Sequence, residues 1–129
     1  MLNIDHEIVE YKHHEAYSVQ DIDDKLNSDS SFTHVSVIHH ETTAGVLNPL
    51  EETGSMLKDK HPNVKLFVDS MSAAGAYACP VGQWNINCIV SSSNKNYGGA
   101  PGFSWLVVDN ETLNETKGDL IDFSNFILI

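Results

Sequence analysis

Three stretches of this sequence carry side chains capable of chemistry, and each follows an apolar run. His34–His39 (HVSVIH) leads into His40-Glu41-Thr42-Thr43-Ala44-Gly45, and Val64–Val68 (VKLFV) into Asp69-Ser70-Met71-Ser72. Asn87–Ser91 (NCIVS) leads into Ser92-Ser93-Asn94-Lys95. Together they hold hydroxyls, a carboxylate and an amine. Asp69 directly follows Leu66-Phe67-Val68, which predicts partial burial, and a buried carboxylate is costly unless it is paired. The N–H of a heteroaromatic ring is one suitable partner, because a carboxylate keeps that nitrogen protonated and lets the ring accept electrons. An aspartate capping the following turn is the other reading, and spacing does not choose between them. Lys95 stands among small polar residues before Tyr97-Gly98-Gly99. Desolvation in such a place lowers the pKa of the amine and frees it for Schiff-base chemistry. A plain surface-loop lysine is the alternative. Thr42, Thr43, Ser70, Ser72 and Ser91 to Ser93 are each ordinary turn residues. As a set they are the donors that a phosphate or a phenolic oxygen needs.

Other constellations carry less. His34, His39 and His40 with Glu41 suggest a metal, but His34 and His39 should face opposite sides of one strand, and no second ligand cluster accompanies them. Gly98-Gly99-Ala100-Pro101-Gly102 lacks the Lys-Ser/Thr pair of a phosphate loop and reads as a tight turn beside the lysine. Cys79 and Cys88, nine positions apart, form no CxxC pair and read as small apolar residues of a reduced compartment. Asn110-Glu-Thr112 and Asn114-Glu-Thr116 match the glycosylation pattern, which means little without a secretory signal. Seven Lys and Arg against 18 Asp and Glu give a net charge of -11. That balance argues against a nucleic-acid partner, and any anionic ligand must be held by local groups. The longest apolar stretch falls short of the ~20 residues of a membrane helix. The charged start MLNIDHEIVEYKHHE lacks the apolar core of a signal peptide, so a cytoplasmic protein without a membrane partner is expected.

The elements that must position these residues alternate between strand and helix. With 129 residues, 41% of them hydrophobic, the chain suits one domain. Ile8–Tyr11 reads as a short strand. Ser18-x-x-Asp21 reads as a capping box opening a helix through about Asn27. Asn48-Pro49 reads as N-cap and first residue of a helix that runs to about Lys60, where His61-Pro62-Asn63 breaks it. Phe103–Val108 (FSWLVV) is a further strand after the Gly-rich turn. Several strands are near-continuous apolar runs, the pattern of strands buried on both faces. The predicted class is therefore α/β, a mainly parallel sheet with flanking helices. In such sheets ligands bind at the carboxyl ends of the strands, where Thr42, Asp69 and Lys95 all fall. The tail Leu120–Ile129 is apolar and finds no place in this scheme.

The set His39 to Gly45, then Val68-Asp69-Ser70-Met71-Ser72, then Ser92-Ser93-Asn94-Lys95, then Pro101-Gly102-Phe103, resembles the class V aminotransferases, and within them the 2-aminoethylphosphonate–pyruvate transaminases. The 26 positions from Asp69 to Lys95 suit that group, and the resemblance spans nearly the whole chain. It implies part of the large domain of the aspartate-aminotransferase-like fold, pyridoxal 5'-phosphate (PLP) as cofactor, and a homodimer in the full-length family. It implies Lys95 as the lysine that binds PLP covalently and moves the proton. Asp69 would pair with the ring nitrogen, Met71 would pack on a ring face, and Thr42 would lie near the phenolic oxygen. Asn94 and Ser92 would lie near the phosphate. The implied substrates are 2-aminoethylphosphonate and pyruvate, with phosphonoacetaldehyde and alanine as products.

The resemblance also implies that residues 1–129 correspond to the central part of the PLP-binding large domain. The N-terminal phosphate loop and the C-terminal small domain would lie outside it. Ala73-Ala74 and Tyr97-Gly98-Gly99 depart from the family's usual residues and bear on substrate binding. Two other readings stay open: a non-catalytic remnant acting at most as a dimerisation module, and another class V specificity, alanine–glyoxylate or serine–pyruvate. By the same resemblance the first three strong strands should be parallel neighbours, with Phe103–Val108 antiparallel beside them and Ile8–Tyr11 paired with none of the four.

Overall fold

The computed structural model describes residues 5–115 and the strand Phe126–Leu128. Helix α1, Val19–Ser28, starts where expected: the Ser18 hydroxyl accepts a hydrogen bond from Asp21 N at 3.3 Å. Helix α2, Leu50–Lys60, buries Leu50, Thr53, Gly54 and Leu57, a stripe at helical spacing. Glu51 and Glu52 lie in its first turn and Lys58 and Lys60 in its last, matching the helix dipole. Asn48, however, is not the cap of α2. Its Nδ2 donates to Ile38 O at 2.8 Å and its Oδ1 accepts from Tyr17 N at 3.3 Å. The carbonyl at the end of a strand needs a donor, and Asn48 supplies it. Pro49 takes the cap position without a side-chain bond.

The strands are β1 (His6–Ile8), β2 (His34–Ile38), β3 (His40–Glu41), β4 (Val46–Leu47), β5 (Lys65–Asp69), β6 (Cys88–Ser92), β7 (Ser104–Val108) and β8 (Phe126–Leu128). Six form one sheet in the order β1-β8-β2-β5-β6-β7. β2, β5 and β6 are parallel neighbours, with Ile38 opposite Asp69 and Asp69 opposite Val90. β7 is antiparallel to β6. The four strong strands thus pair as the resemblance implies. β1 starts and ends earlier than the Ile8–Tyr11 reading and, among the described residues, pairs only with β8. Part of the unplaced tail finds its place here: β8 lies between β1 and β2, parallel to both. The rest of Leu120–Ile129 lies outside the described residues.

Three elements, β3, β4 and a third helix, were not read from the sequence. β3 and β4 form a small antiparallel hairpin just after β2, with Thr42 and Thr43 in the turn between them. Helix α3, Asn110–Glu115, is capped by Asp109, whose Oδ1 accepts from Thr112 N at 2.8 Å.

Burial alternates along β2 and β5. Val35, Val37, Leu66, Val68 and Ile89 cluster with Tyr17, Ile22, Leu26, Leu50 and Leu57, so one face of the sheet carries the core under α1 and α2. Ser36, Ile38, Phe67, Asp69 and Val90 on the other face are only half-buried. The expectation of strands buried on both faces is therefore met on one face among the described residues. Apolar composition makes burial favourable, but it does not supply the layer that covers the second face.

Candidate functional site

The parallel register brings the carboxyl ends of β2, β5 and β6 to one edge of the sheet. Asp69 closes β5 and is half-buried. Its Oδ1 accepts from Met71 N at 2.8 Å, so the turn-capping reading is realised. Oδ2 accepts no hydrogen bond among the described residues. One carboxylate oxygen is thus fixed and the other is free to meet a donor. Met71 and Ser72 follow, both half-buried.

Ser72 is where the three stretches meet. The Thr42 hydroxyl, beyond the end of β2, donates to the Ser72 hydroxyl. Asn96 Nδ2, in the loop after β6, donates to Ser72 O at 2.9 Å and to Ala74 O at 3.2 Å. The Tyr97 ring lies over Gly75, where a Cβ would meet the ring at 3.2 Å. Gly75 also has φ +88, a conformation that favours glycine. The loop carrying Lys95 is thereby fastened to the loop that follows Asp69.

Lys95 itself is exposed, so the desolvation that would free its amine is not provided by the described residues. Asn94 beside it is exposed too. Ser92 differs: its Oγ is buried and has no hydrogen-bond partner among the described residues, and the same holds for His40 Nδ1. An orphaned buried hydroxyl is uncommon and is stabilised by any acceptor that reaches it. Ser93 is committed to the turn, its hydroxyl donating to Ala100 O. Glu41 is likewise used locally: its carboxylate accepts from Thr43 N at 3.0 Å, and that bond holds its pKa below the usual range.

Sequence reasoning missed Asn96 as a tie between loops and His39 as a buried partner of Ser70. Asn96 offers no periodic signal, because its role rests on a bond 24 positions back in the chain. His39 and His34 do lie on opposite sides, as their spacing requires, but His39 is 2% exposed rather than available at the surface. Both thiols are pushed up by burial, as inert apolar residues should be.

The arrangement offers one free carboxylate oxygen, an unsatisfied hydroxyl and an exposed amine on a fastened loop. The family profile described as "Aminotransferase class-V" matches residues 2–123 of this chain. Over 116 residues the chain is 39% identical to a 2-aminoethylphosphonate–pyruvate transaminase of Bacteroides fragilis, covering 90% of this chain and 32% of that protein. It is 38% identical over 117 residues to a bifunctional phosphonoacetaldehyde hydrolase/aminoethylphosphonate transaminase of Clostridioides difficile, covering 91% of this chain and 18% of that one. Among solved structures, the pyridoxamine–pyruvate aminotransferase of Mesorhizobium loti superposes with a TM-score of 0.79 at 26% identity, over 88% of this chain and 29% of that one. The alanine–glyoxylate aminotransferase of a Nostoc species shares the fold, with a TM-score of 0.73 at 21% identity over 84% and 28%. The chain thus spans 32% of the length of the Bacteroides fragilis relative it matches.

Proposed function

The chain belongs to the aminotransferase class-V family, and from that membership we propose that it forms the central part of a PLP-dependent enzyme that moves the amino group of 2-aminoethylphosphonate to pyruvate. The products would be phosphonoacetaldehyde and alanine. The names of the relatives support the substrates, and the meeting of three strand ends at Ser72 supports the site.

The residues present fit the cofactor. Asp69 Oδ2, left free by the bond from Met71 N, would hold the protonated ring nitrogen. The orphaned Ser92 hydroxyl would donate to the phosphate, with Asn94 beside it. Thr42 would serve the phenolic oxygen, Met71 would pack on a ring face, and Lys95 would bind the cofactor covalently and carry the proton. When bound, PLP supplies the electron sink for amino transfer. The exposure of Lys95 and the charge of -11 set what is still needed: a covering layer to desolvate the amine, and cations to hold a phosphonate. The rest of the large domain, the small domain and a second subunit would supply them. Among the described residues no helix is long and apolar enough to cross a membrane.

An absorbance titration of the chain with PLP tests this reading. We expect weak uptake, with a band from the lysine-bound cofactor that is absent in Lys95→Ala. A band of equal strength in Lys95→Ala would overturn the role of Lys95. No uptake at all would favour the non-catalytic alternative for this chain.

A further inference from the structure

The turn that presents Asp69 sits on a buried polar network that the reading above leaves unused. His39 is 2% exposed, and Ser70 and Ser91 are 0% exposed. His39 Nδ1 and Ser70 Oγ are 3.1 Å apart, in hydrogen-bond contact. The Ser91 hydroxyl donates to Ser70 O at 3.1 Å. His39 N donates to Asp69 O at 2.8 Å, and Ser70 N donates to Val90 O at 2.9 Å. Ala73 N and Ala74 N donate back to Ser70 O at 3.2 and 2.9 Å. The three buried side chains thus lie at the carboxyl ends of the three parallel strands, His39 just after β2, Ser70 just after β5 and Ser91 within β6. The centre of the network is the residue directly after Asp69.

Apolar residues would fill this space at lower desolvation cost, since each buried polar group must be paired to be tolerated. The polar network has a local consequence that an apolar filling would lack. The direction of the Asp69 carboxylate depends on Met71 N holding Oδ1, and Met71 N is placed by the peptide of Ser70. We propose that His39 and Ser70 are positioning residues: their hydrogen bond locks the 69–71 turn so that Met71 N fixes Asp69 Oδ1 and leaves Oδ2 as the free acceptor. The use of that free oxygen rests on the assignment of Asp69 to the ring nitrogen made above. Burial, with His40 nearby, holds the His39 imidazole below its ordinary range, which favours the neutral ring in its contact with Ser70. Its plane is set by Trp84, edge-on with centroids 6.4 Å apart, and by Tyr77 at 6.3 Å.

Amide hydrogen exchange on the full chain tests the proposal without any cofactor. The variants are His39→Leu, Ser70→Ala and His39→Asn, in which the asparagine amide takes the place of Nδ1. Leu57→Ala, in the core of α2, is the control for general destabilisation. His39→Leu and Ser70→Ala should each speed exchange at Met71, Ala73 and Ala74 by about tenfold relative to the amides of α2. His39→Asn should recover most of the protection, and Leu57→Ala should not single out this turn. If His39→Leu affects Met71 no more than Leu57→Ala does, or if His39→Asn recovers nothing, His39 is core filling and the proposal is overturned. Ser70→Ala decides the matter if His39→Leu does not fold. A PLP titration then separates the two readings. Wild type without PLP uptake but with the expected exchange pattern removes the ring-nitrogen role of Asp69 and leaves the positioning role standing. An affinity that falls about tenfold in His39→Leu and returns in His39→Asn supports both.

Discussion

Asp23 is 3% exposed and is held by Lys60, His61 and Asn27. Lys60 donates to its Oδ2, His61 Nε2 lies 2.8 Å from Oδ1, and Asn27 Nδ2 donates to Oδ1 at 3.1 Å. A buried carboxylate is tolerable only with such partners. The bond from Lys60, then that from His61, holds its pKa below the usual carboxylate range. A group depressed on folding stabilises the fold above its unfolded pKa, about 3.9 for aspartate, and that contribution is lost as pH falls through the lower folded value. Asp23→Asn should therefore cost about 1–3 kcal/mol at neutral pH, with Lys60 and His61 left unpaired. The difference from wild type should shrink below about pH 4. Urea midpoints measured from neutral to acid pH check this. A constant difference across that range would show that the charge of Asp23 does not matter. The same logic separates Asp23 from Asp69: the first is fully paired inside the chain, whereas the second keeps an oxygen free.

At the scale of elements, α2 shows a glycine used for close approach. Gly54 lies in the middle of the helix, where alanine is ordinarily better by roughly 1 kcal/mol. A Cβ on Gly54 would land on the backbone carbonyl of Trp84, which cannot swing away as a side-chain tip could. Gly54→Ala should therefore destabilise the chain, by about 1–3 kcal/mol as for other overpacked sites. Thermal melting followed by circular dichroism measures it. A variant as stable as wild type or more so would mean that helix propensity wins and that the 81–86 segment yields easily. The contact also bears on the site, because Trp84 packs on His39 at the end of β2. A shift of that segment should be felt at the turn that holds Asp69.

For the whole molecule, the open face and edge matter most. Among the described residues β7 ends the sheet, and Phe103, Leu106 and Val107 beside or on it are 71, 62 and 48% exposed. An exposed apolar edge strand invites pairing with another chain, and a charge on it is a common deterrent. Sedimentation velocity should show the wild-type chain self-associating and Leu106→Lys shifting it toward monomer. Equal association of the two would place the sticky surface elsewhere. A coupled assay for alanine formed from 2-aminoethylphosphonate and pyruvate should show turnover below about 1 per second, the low end for ordinary enzymes. Lys95 is exposed, so the described residues do not desolvate its amine, and the net charge of -11 repels a phosphonate. Faster turnover would show that the 129 residues suffice.

The amino-acid sequence by itself determined the four strong strands and helices α1 and α2, and their order. Apolar runs at 34–39, 64–68, 87–91 and 103–108 became β2, β5, β6 and β7, and the Ser18 cap opened α1. It also determined which chemical groups end those strands, because a strand's last residue and the turn after it are neighbours in the chain. Tertiary structure alone decided what those groups do. The sequence left Asp69 either capping a turn or free to pair with a ring nitrogen; in the fold one oxygen caps and the other stays open. Asn48 became a tie to Ile38 instead of a helix cap, Asn96 reached back to Ser72, and β8 came between β1 and β2. Each of these depends on partners far apart along the chain. Local pattern records the propensity of a segment and the face it should bury, but it holds no record of which distant carbonyl will lack a donor once the strands are side by side.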